Sequence, residues 1–384
     1  MKEKSQVEVE HSKCESCGGE MSFNPETGML VCPYCGHTQE LEGNGPVALH
    51  DYTDGSKLNT VSDKDNVTAH CENCGANITF EKSSTAQKCP FCNSPMTIQQ
   101  DDSLSVVPDG VIPFKVTRKA AIQSFRNWIR GKFFSPKALR ALAHLQKIYG
   151  VYLPHFLFNC RTESQYTAEA GTHYYETKMV TVERDGQQVQ EEQQVMKTSW
   201  RSVSGHYEES FADQSVNASK NVDRKLIKLN FSLQDLKPYT KEYLLGFQAE
   251  NNSISLSDCW KEEQRQIKIN LTQNIKSSIV ADEVRNLNFS TDYQDVKYKY
   301  ILMPVWISTY TFKGKLFKVM INGQTGQIKG EAPLSAARIL LSILFTVGIP
   351  ALLCTANVIL GVVVFIIAVI TLIILANRKP KKDS

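Results

Sequence analysis

The most conspicuous hydrophobic pattern lies near the end of the chain, where residues 339–376 contain no charged residue over 38 positions. A single membrane-spanning helix needs about 20 apolar residues, so a run of this length suits two short spans. Pro350 and the polar triplet at 355–357 lie near its middle and would turn the chain. Backbone polar groups in hydrocarbon need internal partners, so helices are expected. The pattern predicts a transmembrane helical hairpin over residues 335–377.

Basic residues flank this run on both sides. Arg338 precedes it, and the tail at 378–384 contains Arg378, Lys379, Lys381 and Lys382. Positive charges near spans stay on the cytoplasmic side of a membrane. The flanks therefore favour a multi-pass protein of the cytoplasmic membrane, with its soluble part and its basic tail in the cytoplasm. A single tilted span, a re-entrant loop and a buried helix pair of a soluble protein are the alternatives.

Helical periodicity is clearest shortly after residue 115. Ile122, Phe125 and Ile129 recur at the spacing of one helix face, with Trp128 beside them. The dipeptide at 135–136, serine then proline, is typical of the start of a second helix, which is expected to end near residue 150.

Residues 150–333 show mostly the alternation of strands. The elements expected there are a polar hairpin that turns at 184–186, helices over 235–250 and 257–284, and strands over 298–311 and 315–321. Residues 101–334 are therefore predicted to form an α+β domain, mostly β, with a basic helical N-terminal part.

Cysteine dominates the pattern at the start of the chain. Eight of the eleven cysteines form four Cys-x-x-Cys pairs. Two pairs separated by fourteen residues lie in residues 11–42 (ribbon 1) and two in residues 70–100 (ribbon 2), with 43–69 as a linker. The two units superimpose without a gap, which indicates an internal duplication. The cysteines are Cys14, Cys17, Cys32 and Cys35 in ribbon 1, and Cys71, Cys74, Cys89 and Cys92 in ribbon 2.

Four thiolates at this spacing are the ligand set of a structural zinc site. Zinc prefers four soft ligands in a tetrahedron, and two residues between cysteines let one tight turn present both sulfurs to one ion. The residue after each second cysteine tends to adopt a positive φ, which glycine and asparagine tolerate. The residues in those positions are Gly18, Gly36, Gly75 and Asn93. We expect two small β zinc ribbons with two structural Zn²⁺ ions, covered on one side by Phe23 and Phe80.

Other uses of the cysteines are less favoured. A redox dithiol is the alternative for a single pair, and a disulfide framework is the alternative in short secreted domains. Four pairs at a duplicated spacing, with no signal peptide at the start of the sequence, favour metal. His37 and His70 flank the clusters and are expected to be surface residues. Cys160 and Cys259 are expected to be small core residues.

Charge bears on the choice of partner. The net charge is +3 for the whole chain, −4 for ribbon 1 and zero for ribbon 2. A nucleic-acid backbone needs compensating Lys and Arg, so the ribbons are predicted to bind protein. Residues 110–162, by contrast, contain ten basic residues and no acidic one. The basic segment 115–147 would face an acidic protein surface, anionic lipid or nucleic acid.

The common sequence motifs of catalytic sites are absent. The sequence has no nucleotide-binding Gly-x-x-x-x-Gly-Lys-Ser/Thr loop, no His-Glu-x-x-His and no Gly-x-Ser-x-Gly. The protein is therefore expected not to be an enzyme, with no small-molecule substrate and no catalytic or cofactor-binding residue.

Two segments, residues 111–115 and 150–154, and the stretch from 303–306 through 322–326, together with the paired ribbons, resemble a bacterial family. It is a membrane-anchored double zinc-ribbon family that carries the labels transcription-factor-IIB-type zinc ribbon and primosomal-helicase-like and includes the YdjG type. The resemblance implies zinc at the eight ribbon cysteines. It also implies SPFH (flotillin-like) and phage-shock-protein-A-like partners in membrane stress.

These observations lead to two hypotheses. The first is a non-enzymatic, membrane-anchored zinc-ribbon adaptor that recruits cytosolic proteins to the membrane in envelope stress. The second is a membrane-tethered nucleic-acid-binding zinc-ribbon protein linked to replication or transcription.

Overall fold

The structure is a computed structural model, and most of it is β-sheet. It describes residues 13–41, 45–53, 58, 60–61, 66–81, 88–94, 96–98, 105–132, 134–136, 148–184, 187–222, 229–312, 315–356 and 358–376.

The strands before residue 112 are short. They are β1 (Ser22–Asn24), β2 (Met29–Val31), β3 (Thr38–Gln39), β4 (His50–Asp51), β5 (Thr60–Val61), β6 (Asn66–His70), β7 (Asn77–Glu81), β8 (Thr97–Ile98), β9 (Ser105–Val106) and β10 (Gly110–Val111). The later strands are β11 (Ile148–Arg184), β12 (Gln187–Asn217), β13 (Lys237–Pro238), β14 (Gln248–Glu250), β15 (Glu283–Phe312), β16 (Lys315–Asn322) and β17 (Ile328–Gly330). The helices are α1 (Arg118–Gly131), α2 (Leu256–Ser278), α3 (Ala336–Ile343), α4 (Ile349–Ala356) and α5 (Val358–Ala376).

Two very long strands, β11 and β15, form the axis of the molecule. They run antiparallel, from Ile148 opposite Ser308 to Gly171 opposite Glu283. β12 accompanies β11 from residue 155 to the tip, so the last stretch of β11 beyond Gly171 pairs only with β12. At the base, β10, β4 and β16 pair with successive parts of the free edge of β15.

Side chains alternate between the two faces of this base and build a core on each. Tyr152 and Trp306 lie in one buried cluster, whereas their neighbours Val151 and Val305 lie in another. The alternation follows from the two-residue period of a strand. Each face of the base must therefore be shielded from water by packed side chains, and the two ribbons pack on opposite faces.

Helices α1 and α2 form where the polar pattern changes to a helical one. Thr117 caps α1 by accepting a hydrogen bond from the Ala120 N–H at 3.3 Å, and α1 buries Phe125 and Ile129 as predicted. Ser255 caps α2 in the same way, accepting from the Asp258 N–H at 3.1 Å. α2 lies on the long strands and buries Trp260, Ile267, Leu271 and Ile275 against the sheet.

Several predicted elements are confirmed. The hairpin turns where the sequence indicates, with Arg184 opposite Gln187. The predicted strands over 298–311 and 315–321 are both present, the first as part of β15, and their register pairs Phe312 with Lys315. The predicted helix over 257–284 is present as α2 but ends at Ser278.

Two helix predictions are wrong in whole or in part. The segment 235–250 contains two short 3₁₀ turns and the strands β13 and β14 in place of a helix. Its apolar residues do not form a helix stripe, because they pack singly against ribbon 1 and the sheet. The helix expected to end near residue 150 lies mostly outside the described residues, and Tyr149 and Gly150 already belong to β11.

The segments that carry the family resemblance come together at the base of the long strands. Val111 pairs with Leu302, and Val151 pairs with Val305. The Phe114 ring lies 5.1 Å from that of Trp306, and the Gly323 N–H donates to the Pro304 carbonyl at 2.8 Å. Each segment therefore serves to build the same packed centre.

The C-terminal run differs from its prediction. It is divided among α3, a π-helical turn at Leu344–Gly348, α4 and α5. The hydroxyls of Ser342, just before the turn, and Thr346, within it, donate to the carbonyls of Ile339 and Ser342, at 2.7 Å each. Large apolar side chains such as Leu352 and Ile359 are exposed.

No helix within the described part of the chain combines the length and the apolar character needed to cross a membrane. The predictions of a transmembrane hairpin and of a multi-pass membrane protein are therefore wrong. The prediction rested on the number of uncharged residues in the whole run, whereas a span requires them in one continuous helix.

Candidate metal centres

Four turns with the same backbone geometry present the eight ribbon cysteines. In each turn the N–H of the first cysteine donates to the carbonyl five residues later, as from Cys14 to Gly19 at 2.7 Å and from Cys71 to Ala76 at 2.9 Å. The N–H four residues later donates back to the first cysteine's carbonyl, at 2.8–2.9 Å in all four turns.

The residue after each second cysteine has a positive φ, as predicted. The angles are 71° at Gly18, 76° at Gly36, 74° at Gly75 and 63° at Asn93. A side chain at this φ is strained unless it is glycine or asparagine. The residue types at these four positions are therefore explained by the turns that carry the cysteines.

The turns bring the sulfurs together in two groups of four. Within each group all Sγ atoms lie within 4.8 Å of one another. The first cysteine is close to the fourth, with Cys14 and Cys35 at 3.5 Å and Cys71 and Cys92 at 3.4 Å. The second is close to the third, at 3.5 Å in ribbon 1 and 3.6 Å in ribbon 2. The duplication seen in the sequence thus extends to the pairing of the sulfurs.

These distances fit a metal ion. A disulfide requires about 2.05 Å between sulfurs, so none of these four pairs of sulfurs is bonded. A tetrahedron of thiolates about 2.3 Å from a central ion has edges of about 3.8 Å, close to the observed separations. Each group of four cysteines could therefore hold one metal ion.

Hydrogen bonds and burial shift the pKa of these thiols in both directions. A backbone hydrogen bond with His37 acts to lower the pKa of Cys35, but hydrogen bonds with neighbouring thiols raise it to about 12, and burial raises the pKa of Cys74 to about 11. Backbone N–H groups of Cys35 and Tyr34 lower the pKa of Cys32 to about 7. Burial acts to raise the pKa of Cys92, but hydrogen bonds with Asn73 and Ser94 lower it to about 6. Amide donors aimed at sulfur stabilise thiolate, the form that binds metal.

The two clusters differ in exposure. The first and third cysteines are buried in both ribbons. Cys17 and Cys35 of ribbon 1 are exposed, whereas their counterparts Cys74 and Cys92 are only partly exposed. The cluster in ribbon 2 is therefore the better covered of the two.

Ribbon 1 is held by packing. Its strands β1, β2 and β3 form a separate three-stranded sheet. Phe23 is buried, with its ring 5.4 Å from that of Tyr243 and 6.2 Å from that of Phe247. A backbone hydrogen bond from the Phe23 N–H to the Leu245 carbonyl, at 3.1 Å, joins this sheet to that segment.

Ribbon 2 is held by the main sheet. β7 pairs with β14, which in turn pairs with β11. The Thr79 hydroxyl donates to the Asn251 side chain at 2.9 Å. Cys71 and Cys89 lie in the buried cluster that contains Val151 and Val305.

The same short stretch, residues 243–250, seats both ribbons. Its first half, 243–247, packs against ribbon 1, and its second half is β14, which pairs with ribbon 2. We call residues 243–250 the seat. The glycine at position 246 was a sign in the sequence against the predicted helix. In the structure its φ is 86°, which is incompatible with a helix.

The remaining candidates lie apart from the clusters. His70 contacts the Asn77 side chain at 2.7 Å, and neither His70 nor His37 belongs to the described metal-ligand groups. Cys160 and Cys259 are buried, and burial raises the pKa of each to about 12. Thiols with such a pKa are poor nucleophiles at neutral pH. The Phe80 side chain lies outside the described residues.

The basic segment is described only in part, because 133 and 137–147 fall outside the described residues. Lys115 forms an ion pair with Asp235 at 2.7 Å, and Lys132 lies over the Trp128 ring at 5.0 Å. Arg118 and Lys119 are exposed at the start of α1. An acidic partner within the chain thus accounts for one of the charges.

Comparison with known proteins finds one similar curated protein to report. The chain is 27% identical over 332 residues, covering 85% of this chain and 91% of the other, to the uncharacterized protein YdjG of Bacillus subtilis (strain 168). No family model matches the chain, and no solved structure matches it. The similarity agrees with the YdjG type expected from the motif segments, and it leaves the function open.

Proposed function

We propose that the protein is a non-enzymatic adaptor built around two structural zinc ions, with ribbon 1 as a protein-binding surface. Zinc is proposed because each cluster offers four sulfur donors and no other ligand type. Four protein ligands fill a tetrahedral zinc site and leave no position for a reacting water. Such a site stabilises a fold and offers no open position for catalysis at the metal.

The observation that carries the proposal is the outward surface of ribbon 1. Its exposed residues include four carboxylates, and Tyr34 is 78% exposed. The carboxylates are Glu15, Glu20, Glu26 and Glu40. An exposed aromatic ring on a ribbon with a net negative charge suits a protein partner of the opposite charge. The same charge repels a phosphate backbone.

The partners proposed follow from the family resemblance. They are SPFH (flotillin-like) and phage-shock-protein-A-like proteins, recruited through a basic surface of theirs. This proposal does not include the membrane anchor that the sequence predicted.

Two measurements test the proposal. The purified chain should contain two zinc ions by elemental analysis, and Cys32→Ser should reduce the content to one. A content of zero in protein purified without chelator would refute the metal part.

Binding to purified candidate partners tests the adaptor part. Glu15→Lys with Glu40→Lys should weaken binding at least about tenfold, since reversed charges repel. The matched control reverses two exposed carboxylates elsewhere, Glu192→Lys and Glu208→Lys, and should bind like the wild type. Equal binding by both double variants would refute ribbon 1 as the contact surface.

Nucleic-acid binding is the second candidate, and the exposed basic residues of α1 are the observation in its favour. They are Arg118, Lys119, Arg130 and Lys132. Binding through them would fall steeply with salt concentration. Fluorescence anisotropy with DNA and RNA at two salt concentrations decides between the candidates, and weak, salt-independent binding removes the second.

A further inference from the structure

The four cysteines of ribbon 1 are unequally accessible, although they occupy equivalent places in one cluster. Cys17 and Cys35 are exposed, and Cys14 and Cys32 are buried beneath them. Tyr34, between Cys32 and Cys35, is also exposed at 78%, whereas its counterpart in ribbon 2, Phe91, is 1% exposed. A dissolved oxidant can therefore reach sulfur in ribbon 1 more easily than in ribbon 2.

Each exposed sulfur in ribbon 1 also has a resolving partner at close range. Cys17 lies 3.5 Å from Cys32, and Cys35 lies 3.5 Å from Cys14. Closing either pair to a disulfide, at about 2.05 Å, requires the sulfurs to approach by about 1.5 Å. An exposed thiolate beside a second thiolate is the arrangement found in oxidant-sensitive cysteines.

We propose that the ribbon 1 cluster is a site of reversible oxidation by peroxide, and that the ribbon 2 cluster is protected from it. The inference rests on the proposed metal occupancy, because a bound cation keeps the cysteines as thiolates.

The reaction balances with hydrogen peroxide as the oxidant. The Cys17 thiolate attacks one peroxide oxygen, the O–O bond breaks, hydroxide leaves, and Cys17 becomes a sulfenic acid. The Cys32 thiolate then attacks the Cys17 sulfur, the S–S bond forms, and the sulfenic oxygen leaves as hydroxide. Both hydroxides take up protons to become water. The two sulfur atoms supply two electrons, and the cluster keeps two thiolates, too few to retain zinc.

Oxidation should release ribbon 1 from the seat. Its strands have three, three and two residues, and a sheet this small depends on its metal. Once ribbon 1 unfolds, nothing in its backbone holds the Phe23 ring in contact with Tyr243 and Phe247. Ribbon 2 would remain, because β7 is hydrogen-bonded to β14. Peroxide would thus detach the surface proposed to bind partners and leave the rest of the molecule folded.

The test uses the full-length, zinc-loaded protein treated with hydrogen peroxide. Zinc content is first measured, so that failure of the proposed metal occupancy is recognised separately. Released zinc is then followed with a chromogenic chelator, and differential alkylation with peptide mapping identifies the oxidised cysteines. Hydrogen exchange of residues 13–41 and 66–81 is followed in parallel.

One zinc ion should leave about tenfold faster than the other or more, because oxidation follows the exposure of the sulfurs. Disulfides should appear first among the ribbon 1 cysteines, residues 13–41 should lose protection, and a thiol reductant with added zinc should restore it. A Cys160→Ala, Cys259→Ala, Cys354→Ala variant, which keeps the eight cluster cysteines, should react like the wild type.

Equal rates for the two clusters would overturn the proposal, as would earlier oxidation of ribbon 2. Retention of both zinc ions while peroxide oxidises other cysteines would also overturn it.

Discussion

Ribbon 1 keeps its three short strands in a sheet of its own, whereas ribbon 2 extends the main sheet through β14. The turns, the positive φ angles and the sulfur pairings are the same in both. What differs is how each ribbon is attached to the seat. One duplicated metal module is thus packed onto the fold, and the other is built into it. The position of a metal centre in the sheet, and not its ligands, decides how much of the molecule depends on it.

The largest expected difference follows from removing one ligand in each ribbon. Cys89→Ser should remove one metal ion and lower global stability by on the order of 5 kcal/mol or more, because a structural zinc site contributes folding energy and Cys89 is fully buried in the shared core. The equivalent Cys32→Ser should also remove one ion but lower the free energy of the main unfolding transition by less than about 2 kcal/mol. Thermal unfolding and elemental analysis measure both.

Cys160→Ala serves as a control for the loss of a buried cysteine and should retain both ions. Equal shifts of the main transition in Cys32→Ser and Cys89→Ser would show that the two ribbons are equally integrated.

A smaller effect is expected from removing apolar contacts. Phe23→Ala should weaken the docking of ribbon 1 by about 3 kcal/mol, since the ring is buried against Tyr243 and Phe247. Hydrogen exchange should rise at residues 13–41 with little change elsewhere. Ile78→Ala in ribbon 2 should cost a similar free energy but raise exchange across the main sheet.

The exposed Tyr34→Ala should change stability by no more than about 0.5 kcal/mol. Global destabilisation by Phe23→Ala would contradict separate docking of ribbon 1.

A pH effect of moderate size is expected at the ribbon 2 side of the seat. Burial raises the pKa of Glu250 to about 7, against opposing hydrogen bonds from Asn221 and Ser219 and the charge of Lys318. The folded state then binds a proton that the unfolded state releases near pH 4.5. The contribution of Glu250 to stability is therefore greatest at low pH, and it falls as the pH rises from about 4.5 through about 7.

Between pH 6 and pH 8 Glu250 should cost about 1.4 kcal/mol, and Glu250→Gln should remove that slope. Glu263 under α2 has a pKa raised to about 7 by burial, so it contributes a slope of the same sign. Glu263→Gln is the matched control. Each single variant should remove its own part of the slope and the double variant both parts, whereas buried His155, whose pKa burial lowers to about 4, keeps a slope of the opposite sign. Denaturant unfolding across this range measures the slopes, and an unchanged slope in Glu250→Gln would refute the assignment.

The smallest effect concerns what the ribbons share. Gly36→Ala and Gly75→Ala should each cost about 1 kcal/mol in their own ribbon, because φ is positive and no atom lies within 4 Å of the added Cβ. Asn93→Gly should be nearly neutral. Local hydrogen exchange measures each cost, and a large difference between the two alanine variants would show that the turns are not equivalent.

The sequence predicts the local features of the metal centres well, because they depend on spacing and on φ. The Cys-x-x-Cys turns, the glycines after the second cysteines and the polar hairpin that pairs Arg184 with Gln187 all follow from short-range rules. α1 was predictable because Phe125 and Ile129 repeat at one helix face.

Long-range features could not be read in this way. The seat has helix-like spacing, but Gly246 and contacts with two separate ribbons override it. The apolar C-terminal run suggested a membrane hairpin, since hydropathy does not reveal the π-helical turn at Leu344–Gly348. The pairing of ribbon 2 with β14 involves residues that are far apart in the chain, and no local pattern indicates it.

Stepwise removal of metal tests the difference between the ribbons most directly. The full-length protein is titrated with a zinc chelator, and hydrogen exchange is measured after the loss of the first and second ion. We predict that the first ion leaves with increased exchange confined to residues 13–41 and 243–247, and that exchange across β6, β7 and β14 rises only with the second. Simultaneous loss of both ions, or a first rise at β6 and β7, would contradict this account.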